Sequence, residues 1–201
     1  LRPETGDINF GWDSFTDKIN TDLNDTIGNF VNRTLVGVAK FADNSFEISF
    51  EKISEEFKEE ISTIQKRHNA IRELYEDIEL QSACREILEQ VARGNRFLSS
   101  TEPWKVVKVN KAKALEILYV ALSTLKAASC ELYPIIPDTV SEIVRQSGLF
   151  KKSNGVPSWE EIGIDSDLPI KTIDTKPIFS KVKASDLKDR LEKLRKAPVS
   201  N

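Results

Sequence analysis

Apolar positions along the first fifth of the chain recur at steps of three and four: Phe15, Ile19, Leu23, Ile27, Phe30, Thr34, Val38 and Phe41. Side chains so spaced share one helix face, which predicts a first amphipathic helix ending at ADNSF. Gly28 inside it costs about 1 kcal/mol relative to alanine, and its missing side chain lets another group come close. A second seam, Ile53, Phe57, Ile61, Ile64, His68, Ile71, Tyr75 and Ile78, predicts a helix over 54–77. A third helix follows at once with Leu80, Ala83, Cys84, Ile87, Leu88, Val91, Asn95 and Leu98, and ends near SSTEPW. The fourth, over 111–132, is apolar nearly all round, with Leu115, Leu118, Leu122 and Leu125 on one stripe and Ile117, Val120, Ala121 and Ala128 beside it. A helix of that kind is buried on several sides. Pro134 ends it, Pro137 opens a short fifth helix and Gly148 closes that one.

The expected fold is therefore all-α, an antiparallel bundle of four to five helices within residues 1–149. Residues 150–201 differ in composition. SNGVPSW, DSDLPIK and DTKPIF hold Pro, Gly, Ser and Asp without a sustained period and read as an irregular wrap. A final charged helix over 185–196 offers Leu187, Leu191 and Leu194 as a narrow stripe that needs a surface, either the bundle or a further part of a longer parent chain. The absence of methionine, even at position 1, also points to a segment of something longer.

With 201 residues, 39% hydrophobic and 30% charged, the chain can bury one sizeable core. No apolar run approaches the roughly 20 residues of a membrane helix, and LRPETGDINF lacks a signal pattern, so a cytoplasmic location is expected and no membrane. Cys84 and Cys130 form no CxxC pair and read as buried free thiols, with no metal site expected. His68, the single histidine, falls on the second seam and is expected as a hydrogen-bonded core residue. The net charge of −3 is unevenly spread: residues 51–79 sum to −4, whereas 93–113 and 171–196 each sum to +5. Such segregation lets a polyanion be met on one side, although charge runs are commonly just solvated.

Nothing here sets up bond-making chemistry alone. The sequence holds no P-loop, GxGxxG, GxSxG or HExxH, and acidic pairs such as Glu55 and Glu59 fall on a solvated face. The candidate site residues are of another kind. Asn29 and Arg33, one turn apart in IGNFVNR, project from one face and can converge on one partner, or simply be solvated. Trp104, in the loop segment EPWK beside the basic region, either stacks a nucleobase, worth about 1–3 kcal/mol, or packs on Pro103 as a staple. Trp12 and Trp159 are expected to cover core edges.

The order DSFTDKINTDLNDTIGNFVNR, GNRFLSSTEPWK, ELYPIIPDT and KPIFSKV resembles the C-terminal helical region of methionyl-tRNA synthetases, which are class I aminoacyl-tRNA synthetases. The likeness runs over most of the chain, and NFVNR, NRF before EPWK, and LYPIIP keep the family's order. It implies a helical bundle that receives the anticodon loop of methionine tRNA. Asn29, Arg33 and Trp104 would then read the CAU anticodon, Pro103 would shape the Trp loop, and Lys105 and Lys108 would steer phosphates. Asn95 and Arg96 share the helix before that loop, with their role open. HIGH-type and KMSKS-type motifs and the family's zinc-binding cysteines are absent, and LRPETGDINF resembles the junction after the catalytic domain. The resemblance thus implies that ATP and Mg serve the parent's catalytic domain, an expected partner of this chain, which would be inactive alone. The rivals are the helical domain of the cysteine, valine, leucine or isoleucine enzymes, disfavoured by the Asn, Arg and Pro-Trp set, and a helical protein-interaction module with Trp104 turned inward.

Overall fold

The computed structural model describes residues 11–42, 45–46, 48, 50–150, 153–162, 168, 170–171 and 175–196. Among the described residues the fold is all-α apart from one two-residue strand pair, β1 (Ser45–Phe46) antiparallel to β2 (Ile170–Lys171). The helices are α1 (Trp12–Lys18), α2 (Asn29–Phe41), α3 (Glu55–Glu76), α4 (Leu80–Thr101), α5 (Pro103–Val106), α6 (Lys111–Leu132), α7 (Pro137–Ser147) and α8 (Ala184–Lys196).

The first helix corrects the expectation from spacing. Between α1 and α2 lies a ten-residue π-helix, Ile19–Gly28, and the backbone stays right-handed helical through both junctions. Its backbone hydrogen bonds span five residues instead of four, as where the Asn29 N–H reaches the Asn24 carbonyl, and the Thr26 hydroxyl adds a side-chain bond to the Thr21 carbonyl at 2.9 Å. The segment INTDLNDTIG is rich in Asn, Thr and Asp, whose side chains compete for backbone groups. A wider turn rotates the apolar stripe, so Phe15 is 43% exposed while Ile27 and Phe30 are buried.

The other helices start and stop for local reasons. Asn110 caps α6, its side chain accepting from Lys113 N at 3.0 Å. Pro137 stands in the first turn of α7, and Gly148 ends that helix at φ 68°. Between α4 and α5, Glu102 takes a left-handed conformation (φ 43°, ψ 59°), and Pro103 then starts a new helical turn. Trp104 consequently sits on a short helix and not in a loop.

Helices α2, α3 and α4 all pack against α6, which is buried along most of its length, in keeping with its all-round apolar surface. His68 meets Glu131 and Lys113 meets Glu56, so α3 and α6 run in the same direction. Pairs Arg67–Glu86 and Phe57–Phe97 set α4 against α3 in the opposite sense. Helix α2 reaches α4 over Gly94, where an added Cβ would lie 2.6 Å from Phe30 Cε2. This close approach matters for the site.

One polar cluster is sealed inside. Glu131, fully buried on α6, accepts from His68 Nδ1 at 2.8 Å and from Gln90 Nε2 at 3.0 and 2.8 Å, while its backbone carbonyl accepts from the Tyr75 hydroxyl at 2.7 Å. Trp159 stacks on the His68 ring at 4.5 Å, and Lys126 holds the turn Trp159–Glu161 by donating to the Glu161 carbonyl at 2.8 Å. His68 is thus the hydrogen-bonded core residue that its seam position implied. Cys130 is buried as expected, whereas Cys84, near the outer end of α4, is only partly covered.

Part of the C-terminal region lies along the first helix. Asn20 and Val182 exchange two hydrogen bonds of 2.9 Å, and Lys181 pairs with Asp25 at 3.3 Å. The space above Gly28 is taken by Phe179, 3.2 Å from where a Cβ would stand. Helix α8 packs on α1, with Leu187 and Leu191 half-buried; the side chain of Leu194 lies outside the described residues.

Candidate functional site

Asn29 opens α2 at the point where five-residue hydrogen bonding gives way to α-helical bonding, and Arg33 follows one turn later on the same face. Phe30, seated over Gly94, carries that face onto α4. There the two side chains meet Asn95. Asn29 Nδ2 donates to Asn95 Oδ1 at 3.3 Å. Arg33 Nη1 donates to the Asn95 carbonyl at 3.1 Å and to Asn95 Oδ1 at 3.3 Å, and Nη2 donates to Ser99 Oγ at 3.1 Å. Asn95 Nδ2 in turn donates to the Thr26 carbonyl at 2.9 Å.

Trp104 reaches the same place from α5. The Arg33 Cζ lies 5.2 Å from the indole centroid, a cation–π contact, and Trp104 remains 40% exposed. Partial burial lowers the Arg33 pKa from its ordinary value, but a guanidinium keeps its proton at neutral pH. Asn29 and Arg33 on α2 and Trp104 on α5 therefore form one cluster across two elements. Asn29 and Arg33 line an open cleft of about 630 Å³ with Asp25, Thr26, Asn95 and Ser99, Trp104 lies against Arg33 without lining that cleft, and Asn29 also lines a second cleft of about 450 Å³ with Asn24, Asn32 and Phe179.

The remaining candidates surround this cluster. Pro103 is buried at the start of α5, and its fixed backbone angle sets where the next residue, Trp104, leaves the backbone. Lys105 is exposed and paired with Glu102 at 2.8 Å, and Lys108 is exposed just beyond the helix. Arg96 pairs with Glu89 at 2.6 Å and also lines the larger cleft. Sequence reasoning left Asn95 open and did not raise Ser99. Their spacing held a signal, since Asn95 and Ser99 are one turn apart on α4 just as Asn29 and Arg33 are on α2.

Residues 46–194 match the family described as the anticodon-binding domain of methionyl-tRNA ligase. The chain belongs to that family. Residues 1–35 match a second family profile, the class I tRNA synthetases for methionine, so Asn29 and Arg33 fall under one profile and Trp104 under the other. A methionine–tRNA ligase of Sulfolobus acidocaldarius is 32% identical over 98% of this chain and 35% of its own length. One from Caldivirga maquilingensis is 33% identical over 96% of this chain and 32% of its own length. The chain thus spans about a third of the curated relatives it matches. In fold, this anticodon-binding-domain chain is similar to the free Mycobacterium tuberculosis methionyl-tRNA synthetase, with a TM-score of 0.75 at 20% identity over 87% of this chain and 35% of that one. Among the described residues no helix is long and apolar enough to cross a membrane.

Proposed function

We propose that this chain reads the CAU anticodon of methionine tRNA for a cytoplasmic methionine–tRNA ligase, with Asn29, Arg33 and Trp104 as the base-reading residues and residues 1–149 as the reading unit. The observation that carries this is that Asn29 and Arg33 line one open cleft while the exposed indole of Trp104, remote in sequence, lies against Arg33. Single-stranded RNA is read by such sets: unstacked bases lie on an aromatic face, and directional donors and acceptors meet their edges. Trp104 supplies the face, while Asn29 and Arg33 supply the edges' partners. Pro103 sets the height of the indole. Lys105 and Lys108 add attraction for phosphates without choosing a sequence.

Aminoacylation takes place in the catalytic domain of the parent enzyme, where ATP and Mg act. The cluster here offers an amide, a guanidinium and an indole, and the carboxylate that lines the cleft, Asp25, is paired with Lys181, so the part we assign to the cluster is recognition. The protein-interaction alternative required a free stripe on the last helix and an inward Trp104. Leu187 and Leu191 instead lie half-buried on a helix packed against α1, and the indole is open.

Competition among anticodon stem-loops that differ only in the anticodon tests the assignment, read by quenching of tryptophan fluorescence. The CAU loop is expected to displace all others. Preference for another anticodon would reassign the chain to a different tRNA, and equal binding of all loops would remove the base-reading role.

A further inference from the structure

The polarity of the amides in the cluster is dictated by one backbone group. The Thr26 carbonyl can only accept, so the Asn95 side chain must turn its Nδ2 toward it, as it does at 2.9 Å. That choice places Asn95 Oδ1 on the other side, where Arg33 Nη1, a donor only, confirms it at 3.3 Å. An oxygen in that position can be met by Asn29 only through its Nδ2, the contact seen at 3.3 Å. Asn29 Oδ1 is then left facing the cleft, and it accepts from no described residue. On Arg33, Nη1 is engaged by Asn95 and Nη2 donates once to Ser99, which leaves Nε–H and one Nη2 hydrogen. The Thr26 carbonyl stands within the π-helical segment, three residues before α2, so the unusual backbone of that segment and the polarity of Asn29 are linked.

Resting on the base-reading role, we infer that Asn95 is a positioning residue that fixes the amide polarity of Asn29, so that the site presents a carbonyl oxygen and selects a base bearing an exocyclic amino group. Cytosine N4 and adenine N6 are such groups. Uracil and hypoxanthine put a carbonyl in the same place, lone pair against lone pair. An unrestrained asparagine would rotate its amide to suit either, and selectivity would be lost while most contact area remained. The amide has to be held from behind for it to discriminate, and Asn95 is the side chain that holds it.

The test uses the full chain and three stem-loops: CAU, UAU and CIU, the latter two exchanging one amino group for a carbonyl. The wild-type chain is expected to disfavour whichever of these alters the base at Asn29 by roughly tenfold. Asn95→Ala should bring that ratio toward one. Asn95→Asp keeps an acceptor for Asn29 and Arg33 but cannot donate to Thr26, so it should retain the ratio while its added negative charge lowers affinity for every loop alike. Ser99→Ala, which removes an Arg33 contact without touching polarity, should weaken all loops evenly. An Asn95→Ala protein that loses affinity uniformly with its ratio intact would overturn the inference, as would an Asn95→Asp protein whose ratio collapses. If instead the wild-type chain binds the three loops equally, the base-reading role itself fails.

Discussion

Two polar clusters among the described residues are built from similar parts, and they differ in what they leave free. Around Glu131, a carboxylate, an amide, an imidazole and a phenol close on one another under Trp159, and Glu131 is fully buried. Around Asn95, two amides, a guanidinium and a hydroxyl join α2 to α4, but Asn29 Oδ1 and part of Arg33 still face a cleft beside an exposed indole. The first arrangement directs its bonds inward and contributes to holding three helices; its chemistry is invisible from outside. The second directs just enough bonds inward to orient the groups that point out. A cluster satisfied on one side only keeps hydrogen-bonding groups available to a ligand, which is what the proposed base-reading role needs.

That contrast can be broken most forcefully at the sealed cluster. Glu131→Ala leaves His68 and Gln90 buried without their shared acceptor and should reduce unfolding stability by about 3–5 kcal/mol. Chemical denaturation measures this, and stem-loop affinity per folded molecule should be unchanged; a loss below about 1 kcal/mol would mean that the cluster is not holding the helices. The mirror-image experiment is Trp104→Ala, which should weaken binding of the CAU stem-loop by about 1–3 kcal/mol. Because the indole stands outside the core, its removal should shift unfolding stability by no more than about 0.5 kcal/mol. If helicity were lost instead, Trp104 would belong with the sealed cluster. The smallest effect at neutral pH concerns the thiols. Burial first, then the charge of Glu131, pushes Cys130 up to about 12 from its ordinary 9.0. Only the thiolate reacts, so at pH 8 an alkylating reagent should label the half-buried Cys84 and spare Cys130, as peptide mass spectrometry would read. The sign for stability follows from the same elevation. The unfolded thiol ionises first, so stability is indifferent to Cys130 below about pH 9 and declines as the pH rises from there toward 12.

Much of this organisation was legible in the sequence. The spans 54–77, 111–132 and 137–148 match α3, α6 and α7 with their flanking caps, because apolar spacing, proline and glycine act locally. The π-helix was not legible, since steps of three and four read as an ordinary α-helix and give no sign of a locally wider turn. Its wider turns are met by partners far away, Asn95 on α4 and Val182 near the end of the chain. EPWK was read as a loop because the left-handed turn at Glu102, which frees Pro103 to begin a helix, leaves no mark in composition. Glu131 was hidden within an otherwise apolar helix. NFVNR and EPWK pointed to Asn29, Arg33 and Trp104 as a set, but the contact between α2 and α4 depends on a glycine at 94, a position whose meaning appears only once Phe30 is seen resting on it.

The pairing of Asn20 with Val182, 162 residues apart, has a consequence for biosynthesis. At about 5–20 residues per second, the first helix leaves the ribosome roughly 8–30 s before the segment that borders it is made. That side of the helix must stay open while the intervening bundle helices are made, and the wall of the cleft formed by Phe179 arrives after them.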